Sequence, residues 1–283
     1  MLLELAIGDA YGAGFEFAPP DFVAEYNTLS GYRQHPRHRL QPGSYTDDTQ
    51  MSLAIAETLI SGDPWTPEVL ADRFVRTFKR DPREGYAGRF YDLLMAIETG
   101  AELREKLPGT SDKSGAAMRS APVGILPAVE GVIEAARIQA AVTHNSTGGI
   151  DSAIAAALMS HYFLYRLGKK AELGEFLSAH VPGDWLTPWQ GKAGTSGLEC
   201  VRAARSAIGQ NDSLSAILKD CIAFTGDVDT VAAIALAAAS SSEEVEPDLP
   251  EHLIVNLENN TYGRSYLIDL DRQLMNCFHR FKG

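Results

Sequence analysis

Tyr45-Thr46-Asp47-Asp48-Thr49-Gln50 stands directly before an apolar, alanine-bearing run from Met51 to Ile60. Thr225-Gly226-Asp227-Val228-Asp229-Thr230 repeats the arrangement before Val231 to Ala239. Side-chain oxygens of Asp and Thr at such a boundary accept the unpaired amide hydrogens of a first helical turn, so each cluster predicts a helix start. One cap needs one such residue. Each boundary instead carries two carboxylates and two hydroxyls, and the positive end of a helix stabilises only part of that charge. The surplus asks for a cation.

Outward from these clusters, helical signals fill the chain. Leu2 to Tyr11 reads as a short helix, and Gly8, Gly12 and Gly14 let its backbone turn or approach a neighbour closely. Residues 27–44, with Gly31, Pro36, Pro42 and Gly43, read as a loop. Thr66-Pro67-Glu68 offers an N-cap, a proline at the first helical position and an acidic first turn, and Leu70, Phe74 and Phe78 follow on one helical face. The pattern breaks over 83–88 and resumes from Phe90 to Leu107. Helices are predicted over 128–141, 150–167, 172–179, 197–208 and 214–224, and two more close the chain up to Phe281. Residues 181–195 read as an ordered loop and 240–250 as an exposed acidic one. Alternating β-branched runs, hairpin turns and fixed-period repeats are not found. The pattern predicts an all-α fold, a single compact orthogonal helical domain of roughly ten or more helices over residues 1–283.

The 283 residues, 45% of them hydrophobic, suffice for a substantial core, and the formal net charge of -12, with no basic stripe, argues against nucleic acid as the main partner. Cys200, Cys221 and Cys277 are odd in number and lack a CxxC spacing, so they read as buried, reduced thiols. The apolar start reaches Gly8-Asp9 too soon for a signal peptide, and no stretch is long enough to span a membrane. A cytoplasmic protein is expected.

Asp47, Asp48, Asp227 and Asp229 bring four negative charges, which two divalent cations would balance. Mg²⁺ or Mn²⁺ would take these oxygens together with the hydroxyls of Thr46 and Thr230. Two such ions could hold a hydroxyl-rich substrate by its diol and activate a water. Zinc spacing of His and Cys is absent. Aspartate-rich caps without any metal give the same pattern, and spacing alone does not bring residue 47 beside residue 229. Two other metal classes fail on detail: Met51 stands where an aspartate-rich prenyl-synthase helix needs a carboxylate, and no His-Asp doublet is present.

Five segments occur in a fixed order: Gly8-Asp9-Ala10-Tyr11-Gly12 with Glu16 downstream, Tyr45 to Thr49, Ser114-Gly115-Ala116-Ala117-Met118-Arg119-Ser120-Ala121-Pro122, Thr143-His144, and Gly226 to Thr230. In this the chain resembles the ADP-ribosylglycohydrolase family, over nearly its whole length. The resemblance implies an all-α fold with a binuclear Mg²⁺ or Mn²⁺ centre in a cleft. It implies Thr46, Asp47, Asp48, Asp227, Asp229 and Thr230 as metal ligands. Ser114, Gly115 and Met118 would belong to the loop that holds the diphosphate of ADP-ribose, where small residues let backbone amides close on phosphate. Glu16 matches a glutamate near the distal ribose, and His144 a histidine lining the cleft. The implied reaction is hydrolysis at the anomeric carbon of that ribose, releasing ADP-ribose from a protein or small acceptor. Glu16 and a metal-bound aspartate (Asp47, Asp48 or Asp229) are both candidates for the base.

Arginine-specific relatives carry an Asp-Ile-Gly segment where this chain reads Arg83-Glu84-Gly85-Tyr86-Ala87-Gly88, which leaves the acceptor open. Thr225 stands where many relatives have glycine. Asp9 is expected to cap or support rather than ligate, and Arg119 to anchor its loop rather than touch phosphate. Tyr86, Trp185 and Trp189 could stack on adenine, but aromatics in glycine-rich loops more often pack on the core. His144 follows a helix end, where a histidine often only meets the last carbonyls. Two rival functions remain: a silent member that binds ADP-ribose or serves structurally, and a metal-dependent phosphohydrolase releasing inorganic phosphate.

Overall fold

In a computed structural model, which describes residues 1–37 and 39–282, the second acidic cluster opens α12 (Val228–Ala239), and every residue of that helix is buried. Its alanines keep the helix thin enough for neighbours on all sides. α1 (Leu2–Gly12), α8 (Thr147–Leu164), α10 (Gly197–Gln210) and α11 (Leu214–Ala223) pack around it. Burying each Val, Ile or Leu here contributes about 1.5–3 kcal/mol, and Val231, Ile234 and Leu236 supply three of them.

The crossing of α1 on α12 depends on two glycines. A Cβ at Gly8 would lie 2.6 Å from Ala232 O, and one at Gly12 would collide with Asp229 Cα. The close approach expected of these glycines is what the structure uses, and it sets the start of α1's following loop beside Asp229.

The first acidic cluster opens α3 (Asp47–Ser61), which packs on α1 and on α14 (Arg264–Lys282). Thr46 is its N-cap, accepting from Asp48 N at 3.4 Å, and Gly62 ends it in the left-handed region at φ 69°. α4 (Pro67–Arg80) starts as read, with Thr66 as cap and Leu70, Phe74 and Phe78 buried.

The stretch from Phe90 to Leu107 is a correction. It forms α5 (Gly88–Ala96) and α6 (Gly100–Lys106), because Thr99 and Glu102 make a capping box that starts a new helix. The short α2 (Pro20–Tyr26) was not read from the sequence; its proline at the first position is its clearest signal. α7 (Val129–Ala141), α9 (Leu173–His180) and α13 (Glu251–Asn256) complete the set, with 3-10 turns at Ser114–Ala116, Ala121–Ile125 and Lys170–Glu172. Among the described residues there are fourteen α-helices, and β-pairing is confined to isolated bridges. The fold is all-α. The three cysteines are free and buried, and among the described residues no helix is long and apolar enough to cross a membrane.

Candidate metal centre and cleft

The two acidic clusters meet. Glu16, Asp47, Asp48, Asp227, Asp229 and Thr230 line one wall of a cavity of about 300 Å³. One carboxylate oxygen from each of Glu16, Asp227 and Asp229 lies within 4.8 Å of the others.

Asp9 holds the first cluster from below. Fully buried on α1, it accepts from Thr46 Oγ1 at 2.8 Å, Thr46 N at 3.0 Å, Thr49 N at 2.9 Å and Thr49 Oγ1 at 2.5 Å. It therefore caps a helix other than its own, the supporting role expected of it. The Thr46 hydroxyl faces Asp9 and Asp48 N rather than opening freely to the cavity.

The second cluster is set by a strained turn. Thr225 and Gly226 both have positive φ, 60° and 98°, and the turn is clamped by Ala193: its N donates to Thr225 O at 3.0 Å and its O accepts from Asp227 N at 3.1 Å. Asp227 Oδ2 then accepts from Ser114 Oγ at 2.9 Å. Asp229 Oδ1 accepts from Thr230 N at 3.0 Å, and Thr230 borders the cavity beside Asp48 and Asp227.

Glu16 sits on a loop tied down on two sides. Phe17 N donates to Gly226 O at 2.7 Å. His35 Nδ1 accepts from Arg37 N at 3.0 Å, so its Nε2 carries the proton and donates to Glu16 O at 2.7 Å.

Electrostatics favour a cation here. Burial, reinforced by mutual repulsion, raises Asp47, Asp48 and Asp229 well above the usual carboxylate range. Burial, then Asp227 and Asp9, pushes Glu16 up to about 7. Among the described residues no Lys, Arg or His forms an ion pair with any of the five, and Asp48 Oδ1 is buried without a hydrogen-bond partner. A hard-oxygen set with surplus negative charge and an orphaned buried oxygen fits divalent Mg²⁺ or Mn²⁺.

The rest of the lining is neutral to basic. Ser114, Gly115 and Met118 belong to it, and a Cβ at Gly115 would lie 2.8 Å from His144 Cε1 and displace the ring. Arg119 is buried and donates to Gln139 Oε1 at 2.6 Å, Gln139 O at 2.9 Å and Thr143 Oγ1 at 2.9 Å, anchoring the loop as expected. Burial lowers its guanidinium to about 9. Thr143 Oγ1, accepting from Arg119, has its own proton for His144 Nδ1 at 2.7 Å. Burial, helped by Arg119, brings His144 down to about 3. The imidazole is therefore neutral, with Nε2–H available beside Gly115 in the cavity wall.

Tyr86 is buried with its hydroxyl on Gln50 Oε1 at 2.7 Å, edge-on to Phe78, and Trp185 is wholly buried on Val181 O. Trp189 bonds Gly191 O outside the cavity. The sequence reading missed the apolar lining from Met51, Phe90 and Leu107, hidden among ordinary helix-face positions, and also Cys200, 3.6 Å from Asp227 Oδ2. Loop 83–88 lies over the first cluster: Arg83 pairs with Asp81 and Glu258 and stacks 3.8 Å over Tyr45, while Gly85 sits against Asp47.

The family model described as ADP-ribosylglycohydrolase matches residues 1–281. An ADP-ribosylhydrolase ARH3 from Xenopus tropicalis is 31% identical over 174 residues, covering 58% of this chain and 49% of that protein. The chain thus spans about half the length of the first curated relatives it matches. The ADP-ribosylarginine hydrolase Tri1 of Pseudomonas putida is 27% identical over 88% of this chain and 71% of its own. The ADP-ribosyl-[dinitrogen reductase] glycohydrolase of Rhodospirillum rubrum is 25% identical over 90% and 88%. A solved ADP-ribosylglycohydrolase-related protein complex shares the fold, with TM-score 0.75, 22% identity, and coverage of 100% of this chain and 96% of that one.

Proposed function

The chain belongs to the ADP-ribosylglycohydrolase family, and we propose that residues 1–283 act as one domain that hydrolyses the glycosidic bond between ADP-ribose and a protein or small acceptor. The observation that carries this reading is the meeting of both acidic clusters on one cavity wall, with Asp48 Oδ1 buried and unpartnered there. Thr46, Asp47, Asp48, Asp227, Asp229 and Thr230 would hold two Mg²⁺ or Mn²⁺. Bound there, the ions supply positive charge that offsets the carboxylates and polarises the hydroxyls of a ribose.

The remaining chemistry belongs to the chain's own groups. The turn at Ser114–Ala116 would receive the diphosphate on the amides of Gly115 and Ala116, since Ser114 N and Met118 N already donate to Thr195 O and Ser114 O; Met118 would border it, and neutral His144 would donate to it through Nε2–H. Met51, Phe90 and Leu107 would keep water from the apolar part of the cleft. Glu16, raised to about 7 by burial and Asp227, has the carboxylate best matched to take a proton from the attacking water near neutral pH. Attack at the anomeric carbon forms the bond to the water oxygen and breaks the bond to the acceptor, which leaves with a proton equivalent to the one Glu16 took from that water.

The test is release of ADP-ribose from a panel linked through arginine, serine, phosphate and nucleobase, with Mg²⁺ and with chelator. At least one linkage should be cleaved, with chelation or Asp229→Ala abolishing it while helicity persists. Binding of ADP-ribose without turnover of any linkage would instead favour a silent binding protein.

A further inference from the structure

The carboxylate of Asp227 is held by two donors from distant parts of the chain. Ser114 Oγ donates to Oδ2 at 2.9 Å, and the thiol of Cys200, on α10, stands 3.6 Å from the same oxygen. The thiol has one proton and a second acceptor, Gly194 O at 3.4 Å; an ionised carboxylate is the stronger acceptor of the two. Cys200 is wholly buried and free. Both groups facing its sulfur are oxygen acceptors, so the thiol acts as a donor.

We infer that Cys200 and Ser114 are positioning residues that fix Asp227 as a one-oxygen metal ligand, by occupying Oδ2 and leaving Oδ1 to the ion. Donors of this kind orient a ligating carboxylate, and their loss typically costs about 10–100-fold in metal affinity. Ser114 also opens the turn at Ser114–Ala116, so the same bond ties that turn to the acidic cluster. The inference rests on the metal reading of the site.

The test is Mn²⁺ binding to the full chain, read from the electron paramagnetic resonance signal of free Mn²⁺, for wild type, C200S, C200V and S114A. Serine keeps a donor and valine fills the space without one. C200S should bind within about threefold of wild type, and C200V and S114A should each lose about tenfold or more. A packing role reverses this order, since valine then does better than serine. Wild-type affinity in folded C200V, or an equal loss in C200S and C200V, overturns the role of Cys200. If C200V does not fold, S114A decides: unchanged affinity overturns the positioning of Asp227. Absence of Mn²⁺ binding in the wild type would sink the metal reading itself, a separate outcome from indifferent variants on a wild type that binds.

Discussion

Removing the oxygens of Asp9 should loosen the start of α3 more than any single change among its own residues. In Asp9→Ala the amides of Thr46 and Thr49 lose their acceptor, and the two threonine hydroxyls lose theirs. The hydroxyls can rotate, but the two amides point into a buried site. Each buried donor left unpaired costs about 1–3 kcal/mol, so a loss of about 4 kcal/mol is expected. At roughly 2–4 °C per kcal/mol for a chain of this size, the melting temperature should fall by about 8–16 °C. Asp9→Asn keeps one oxygen and turns an amide against a backbone N–H, so it should lose about half as much. Thermal unfolding followed by circular dichroism should be run in excess Mg²⁺, because removing a charge that repels Asp47 and Asp48 would otherwise offset the loss. Melting temperatures of both variants within about 2 °C of wild type, under 1 kcal/mol, would refute Asp9 as the support of this helix start.

The metal-free protein should become less stable as pH rises from about 4.5 to about 7. Over that window folded Glu16 holds a proton that the unfolded chain has released, worth up to about 3 kcal/mol at 1.36 kcal/mol per unit. Glu16→Gln should flatten that slope in denaturant titrations, and an unchanged slope would count against the burial of its charge. Thr225→Gly should raise the melting temperature, since a β-branched residue at φ 60° carries about 1 kcal/mol of strain. Gly12→Ala should weaken Mn²⁺ binding measurably in a calorimetric titration, because its Cβ would push α1 off the backbone of Asp229.

Much of the fold was legible because its signals are local. The cap at Thr66 with Leu70, Phe74 and Phe78 announces α4, and the two acidic clusters announce α3 and α12. The break at Thr99 was equally local, but the apolar pattern on both sides masked its capping box. Asp9 caps a helix start 37 residues away, so its partners became explicit only once α3 packed on α1. Cys200 looked like any core cysteine until α10 and the turn before α12 brought it to Asp227. Ser114 was read through a loop motif, and only coordinates assign its hydroxyl to the Asp227 carboxylate. Encounters between remote segments leave no trace in spacing.

Gly85 limits how this cleft can be redesigned. Its φ of 107° and the collision of any Cβ there with Asp47 exclude a side chain at that rim position. A carboxylate meant to grip a cationic acceptor would have to be introduced elsewhere on the loop. Ala87 borders the cavity and Gly88 has open space around its Cβ direction. Natural drift and laboratory selection for a new leaving group should therefore accumulate changes at 87 and 88, and leave 85 untouched.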